Sequence, residues 1–359
     1  TIGITMSIAK TLAIRGLTLI GVLFAVLVMV AVTLGATGFS DRMLTAIVNE
    51  EVRGLRQGLA QTIRDVDEIE QAIQEHRQEL EASYGLDRPW YYRLPQMIGR
   101  VVKLDLGEAR TLKTAEGSSS ITSLIGERVP RTMLLVTTAS IITAIFGLFF
   151  GVKLATRVGS RSDRIASLIA ATSNALPAWW AGILLILLTY VILTAFGVRI
   201  FPPGGMYSAP PPEGGLDRFR DLLWHATLPV ITMVLISAGS WTYVVRTMVM
   251  NTAQEDFVTV ARAKGLPEGT VMRNHILRVA APPILTGLIL GLASSVGGAI
   301  LTETVFNWPG MGRLYYDAIL AVDESVVVAL TFMFTLIYVT ARFTLEVLYI
   351  VVDPRVRYS

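Results

Sequence analysis

The sequence predicts an all-α polytopic membrane protein with six transmembrane helices. Three observations carry this. Six apolar spans recur along the chain, each long enough to cross a bilayer, and lysine and arginine gather in alternate connecting segments. Of the 359 residues, 52% are hydrophobic and only 16% charged, against about 25% charged in soluble domains. A mean hydropathy of +0.56 agrees. This composition excludes a disordered chain, a collagen-like chain and an ordinary soluble enzyme. The chain has no cysteine, so disulfides, thiolate metal sites and thiol catalysis are excluded. A net charge of +3 is too small for a nucleic-acid footprint.

The first span, Leu12–Leu34, carries one charge, Arg15 near its start. It exceeds the roughly 7–15 apolar residues of a signal-peptide core, so we read it as a crossing. The second is Thr132–Val152. The third, Ile165–Phe196, is long enough to contain a break, and Pro177 is the expected place, since proline lacks an N–H and clashes with the preceding turn. The fourth is Ala226–Val245, the fifth Ala280–Leu301 and the sixth Val326–Val352.

Orientation follows from the basic residues. Lys10 and Arg15, the Lys153–Arg164 loop, the Arg246–Arg278 loop and the tail with Arg355 and Arg357 all fall on one side of six crossings. The positive-inside rule makes that side, with both termini, cytoplasmic.

Two polar stretches interrupt the spans, so the expected organisation is 1–39 as an N-terminal transmembrane helix, 40–130 as an extracytoplasmic helical segment and 131–359 as a five-helix core. In the larger stretch, apolar residues fall at Leu44, Val48, Val52, Leu55, Leu59, Ile63, Val66, Ile69 and Ile73, near the helical period. The pattern predicts one long amphipathic helix over Asp41–Ala82, or two joined near Gly54 and Gly58. Its apolar stripe must be covered, by the following segment to Pro130 or by another protein. The second stretch, Pro202–Asp221, contains PPGGMYSAPPPEGG and reads as an extended loop.

Several chemistries are absent. Gly-Lys never occurs, so there is no phosphate loop, and no H-E-x-x-H is present. His76, His225 and His275 are scattered over unrelated segments and build no metal site. His225, at the start of the fourth span, reads as an interface residue. Small residues in the fifth span (Gly287, Gly291, Ser294, Ser295, Gly297, Gly298) suit close helix packing. Arg342 and Glu346, four apart in the sixth span, can pair on one helix face; unpaired, they would be the charges an ion-gradient-driven transporter or channel needs.

Between the fourth and fifth spans, within 250–279, the run Glu255-Asp256-Phe257-Val258-Thr259-Val260-Ala261-Arg262-Ala263-Lys264-Gly265-Leu266-Pro267 predicts a short helix, a turn and a second helix. Glu255 and Asp256 suit its first turn, where the helix dipole is positive. Ala261 and Ala263 are small enough for close approach. Gly265 permits a left-handed cap and Pro267 cannot prolong the helix.

This loop resembles the EAA motif of the integral permease subunits of ABC importers of the dipeptide, oligopeptide and nickel group. It departs from the motif's letter: Thr259 and Val260 stand where Glu and Ala would be, while Ala261 and Gly265 are kept. Val260–Gly265 is similar to the T-A-R-A-K-G version of the peptide branch. GLDRPWYYRL (85–94), KLDLGEA (103–109), ETVFNWPGMGRLYYDAI (303–319) and DPRVRY (353–358) resemble the same branch in the same order. The resemblance implies a type I importer fold. It implies an inner-membrane subunit that is no enzyme and holds no cofactor itself, ATP and Mg sitting on separate subunits. It also implies four kinds of partner: a second homologous permease chain, two ATPase subunits, an extracytoplasmic substrate-binding protein and membrane lipid, with no nucleic acid. The segment docking to the ATPase would be Glu255, Asp256, Phe257, Ala261, Arg262, Ala263, Lys264, Gly265 and Leu266. Phe257 would be its apolar anchor, with Arg262 and Lys264 as polar contacts. The charged face of the 41–82 helix, with Arg64, Glu68, Glu75 and Glu79, would be free to meet the binding protein.

Overall fold

The computed structural model describes residues 2–352 apart from 63–64, 94, 96–97, 101–102, 199, 296–299 and 322. The DPRVRY tail, Ile63, Arg64, Gly297 and Gly298 therefore lie outside the described residues. Among those described there is no strand, only an isolated antiparallel bridge between Glu108 and Ser120. Among the described residues five helices are long and apolar enough to cross a membrane: Leu12–Thr33, Ile121–Ala155, Ala178–Ala195, Gly215–Ala253 and Glu324–Val347. The stretch expected as the fifth crossing is helical over Arg278–Ser295 and again over Ile300–Val305. Its intervening residues, 296–299, lie outside the described residues.

The chain divides into two compact units, one of residues 1–124 and 317–339 and the other of 125–316 and 340–359. In the first, helix α1 (Ile2–Ala36) is followed by α2 (Phe39–Thr62) after a turn at Gly38, whose φ is +63°. Helix α3 (Val66–Ser83) begins at an Asp65 cap, whose carboxylate accepts the Asp67 N–H at 3.0 Å. The long amphipathic helix expected over Asp41–Ala82 is thus two helices, and the join lies just before Asp65, away from Gly54 and Gly58. The two run antiparallel. Arg77 donates to Asn49 at 2.9 Å, Tyr84 to Glu51 at 3.1 Å, and Arg56 pairs with Glu70. Val48, Val52 and Ile73 are buried between them, with Leu59, Ile69, Leu80, Tyr84 and Leu86 packed around. Much of the apolar stripe is therefore covered by its own other half. Glu68, Glu75 and Glu79 remain exposed on the hairpin. A charge at Val48 would have no partner in this core. Val48→Asp should open the hairpin to limited proteolysis within 39–83, whereas Glu68→Lys with Glu75→Lys should leave it resistant; equal resistance of Val48→Asp would refute the packing.

After the hairpin, Trp90 packs on the end of α1. A Cβ at Gly35 would lie 2.2 Å from its ring, so only glycine fits there. The 107–121 segment closes a short turn (Ala109 N to Ser119 O, 2.7 Å; Ile121 N to Gly107 O, 3.1 Å). Buried Asp323 ties it down by accepting the Arg110 and Thr111 amides at 2.7 and 3.1 Å.

The second unit carries the elements between residues 125 and 316. Helix α4 (Ile121–Ala155) leads through a turn to α5 (Arg161–Ala175). The chain then breaks at Leu176-Pro177, as expected, and continues as α6 (Ala178–Ala195), which widens to a π turn over Leu187–Ile192. The break separates two elements: Ile165–Ala175 belongs to α5, which packs along α7 (Gly215–Ala253), and the crossing is Ala178–Ala195. Helix α7 starts within the segment read as loop. His225 in it is buried, its Nδ1 2.9 Å from the Asp221 carbonyl oxygen, so it packs within the chain where an interface residue was expected.

At the end of α7 near residue 226, the ETVFNWPGMGRL stretch folds around a buried carboxylate. Glu303 accepts from the Thr132 hydroxyl at 2.8 Å and the Arg313 amide at 3.0 Å, and Thr132 Oγ1 accepts the Met311 amide at 2.7 Å. Trp308 is fully buried and donates its indole N–H to the Arg131 carbonyl at 3.0 Å.

Candidate functional site

The loop between α7 and the helix Arg278–Ser295 lies at the opposite end of the second unit. Helix α7 ends at Ala253, Gln254 caps it, and α8 (Asp256–Ala263) follows at once. Glu255 is the N-cap but makes no side-chain cap bond; Asp256 supplies the first-turn charge. The helix stops as the sequence predicts. Lys264 N–H donates to the Val260 carbonyl at 3.0 Å and Gly265 N–H to Arg262 at 2.9 Å, with Gly265 at φ +76°. Pro267 then caps a single turn, Glu268–Thr270, that runs into a π turn over Val271–Leu277.

One face of α8 is inside. Val258 and Ala261 are buried in a cluster with Val245, Val249, Val271, Ile276, Ala280 and Ile284. This seats the short helix on the end of α7 and on the start of the next helix, so a push on α8 is a push on both. Ala261 makes the close approach expected of it; Ala263 is exposed and does not. The other face presents Phe257 and Val260, 40% and 52% exposed, and Leu266 is exposed just after the helix. Glu255, Asp256, Arg262 and Lys264 surround this apolar patch, all exposed.

Arg262 is already engaged: its Nη2 lies 2.7 Å from Glu268 Oε1, and its Nε also donates to that carboxylate. This hydrogen bond holds the Glu268 carboxyl below its usual range. Glu268 is thus a site residue that the sequence reading missed. The pair staples α8 to the turn after it, and of the motif's two cations Lys264 alone shows no partner among the described residues.

A second missed pair joins α5 to α7. Asp163, in the first turn of α5, receives Arg246 of α7 through both Nε and Nη2, the latter at 2.7 Å, and both residues are buried. Asp163 also accepts the Gly159 amide at 2.8 Å, and its own amide donates to the Ser160 hydroxyl at 3.2 Å. The Arg246 guanidinium holds the Asp163 carboxyl well below its usual value. Its contribution is therefore present above the unfolded-state pKa and fades only as pH falls through the lower folded one. The signal in sequence was Ser160-Arg161-Ser162-Asp163, a variant capping box. The pair joins the 153–164 and 246–278 segments at one end of the unit, as the distribution of basic residues requires.

Residues 144–358 match the family described as binding-protein-dependent transport system inner membrane component. The chain belongs to this family. Relatives include the oligopeptide transport system permease protein AppB of Bacillus subtilis, 30% identical over 285 residues, covering 79% of this chain and 86% of that protein. The di/tripeptide transport system permease protein DppB of Pseudomonas aeruginosa is 30% identical over 287 residues (77% and 83%). The glutathione transport system permease protein GsiC of Escherichia coli is 30% identical over 289 residues (80% and 85%). The permease is therefore an inner-membrane, multi-pass transport component and not itself an enzyme.

Proposed function

We propose that this permease forms half of the translocation path of an ATP-driven peptide importer. It pairs with a second homologous permease, takes its substrate from an external binding protein, and is driven by two ATPase subunits that carry ATP and Mg. Both termini are cytoplasmic. Closure of the ATPases on ATP moves the 255–266 segment, and with it the helices on either side, between two bundle conformations of different substrate affinity. The observation that carries this reading is α8 itself: a short helix with one face buried on α7 and the helix Arg278–Ser295 and the other offering Phe257 and Val260, with Leu266 exposed just after it. An exposed aromatic anchor within an apolar patch rimmed by charge is the anatomy of a docking surface. The names of the relatives support peptides as the substrate class.

Arg342 and Glu346, the charges an ion-driven transporter would use, lie 3.7 Å apart on one helix face, and this pairing supports a structural role.

Cross-linking tests the docking surface. The chain has no native cysteine, so Phe257→Cys can be joined by a short bifunctional thiol reagent to cysteines placed in the ATPase subunit. We expect a permease–ATPase adduct in the assembled complex whose yield changes between ATP-bound and nucleotide-free states. No adduct in either state, while a control cysteine pair in the same complex is joined, would exclude the segment as the contact.

A further inference from the structure

Three membrane stretches of the second unit line an open cavity of about 380 Å³, inside the roughly 300–1,000 Å³ of small-molecule sites. Helix α4 contributes Ser140 and Thr143, α7 contributes Ser237, Ser240 and Trp241, and the helix Arg278–Ser295 contributes Gly287 among others. The midpoints of the apolar stretches 132–152, 226–245 and 280–301 fall at about 142, 236 and 291. The lining residues sit within about one helical turn or so of all three, at the depth of the bilayer midplane.

Threonine hydroxyls of α7 and of the helix Arg278–Ser295 donate to the carbonyl one turn before them, as Thr232 does to Leu228 (2.9 Å), Thr242 to Ala238 (2.6 Å) and Thr286 to Pro282 (2.8 Å), whereas the buried Thr137 hydroxyl of α4, outside the cavity, has no partner among the described residues. The hydroxyls of Ser140, Thr143, Ser237 and Ser240 have no hydrogen-bond partner among the described residues. The Trp241 indole N–H is buried and also lacks one. Unmet polar groups at membrane depth are tolerated where they line a cavity that water or a ligand fills. The indole is held by two glycines. A Cβ at Gly147 would lie 2.1 Å from Trp241 Cδ1, and one at Gly287 2.9 Å from its Cη2. Among the described residues no charged side chain lines the cavity.

We propose that this cavity is a substrate station on the translocation path and that it takes the main chain of a peptide. The hydroxyls offer donors and acceptors to successive amide groups, and the indole offers an apolar wall to a side chain. A station without charge reads the amide backbone and tolerates varied side chains. The inference rests on the peptide-permease reading above.

Single cysteines test it in the complete complex, reconstituted in vesicles with its ATPases and binding protein. Ser140→Cys and Ser237→Cys are compared with Ile141→Cys and Leu235→Cys, two exposed positions on the same helices (51% and 53%). The probes are a small hydrophilic thiosulfonate and trialanine. A thiol reacts as thiolate, which needs water, so we expect modification at 140 and 237 to be at least about tenfold faster than at 141 and 235. We also expect trialanine with ATP to slow it several-fold. Equal rates at all four positions, the result of a lipid or partner helix filling the space, would overturn the proposal. So would modification at 140 and 237 that is indifferent to trialanine while the cysteine-free complex takes that peptide up. A cysteine-free complex that takes up no trialanine would instead overturn the peptide reading on which the proposal rests.

Discussion

Gly265→Val should lower uptake about tenfold while leaving insertion and abundance at the level of the unsubstituted chain. Nothing lies within 4 Å of the position a Cβ would occupy, so the new side chain meets no clash with neighbours. The penalty is in the backbone: φ is +76°, a conformation costing a β-branched residue about 1–2 kcal/mol. That strain is relieved by rotating the chain after α8, which shifts the turn from Lys264 to Pro267 and misaligns the exposed patch. About 1.4 kcal/mol is a factor of ten in an equilibrium between productive and unproductive arrangements. Gly265→Asn should retain most activity, because asparagine tolerates left-handed backbone. Uptake and ATPase copurification unchanged in Gly265→Val would remove this turn from the mechanism.

Arg246→Ala should act earlier, on the amount of folded permease. It strands the buried Asp163 carboxylate, which keeps only the Gly159 amide. Breaking a buried pair by removing one partner costs about 3 kcal/mol, enough to reduce steady-state abundance several-fold. The double variant with Asp163→Ala should recover part of the loss, since no charge is then left unpaired. Membrane abundance and thermal aggregation in detergent measure both. Wild-type abundance in the single variant would contradict the assignment of the pair as a buried tie between α5 and α7.

What could be read from the sequence, and what could not, divides along physical lines. The spans were legible because a fixed hydrocarbon thickness imposes apolar length, and Pro177 marked the break in the third because its missing N–H and ring act locally. The limits of α8 were legible for the same kind of reason: Asp256, Gly265 and Pro267 each act within one turn. The hairpin was not. Periodicity through Ile73 said that a stripe had to be buried, without saying against what. Gly54 and Gly58 drew attention as weak points, yet a helix tolerates glycine for about 1 kcal/mol each. The real signal was Asp65 with Glu68 three residues on, an N-cap signature, and it carried less weight than the two glycines. Arg262–Glu268 spans a turn whose path had to be known first. Asp163–Arg246 and Thr132–Glu303 join residues 83 and 171 apart in sequence, and no local rule pairs them.

The account stands most directly on whether transport by this permease depends on ATPase subunits. The measurement is uptake of a labelled tripeptide into vesicles that contain this chain, its partner permease and the external binding protein, with the ATPase subunits present or omitted. Uptake should require the ATPases and internal or external access to ATP with Mg, and it should fall to background when the subunits are left out or ATP is replaced by a non-hydrolysable analogue. Uptake that persists without the ATPases, driven by an imposed proton or sodium gradient, would contradict the account.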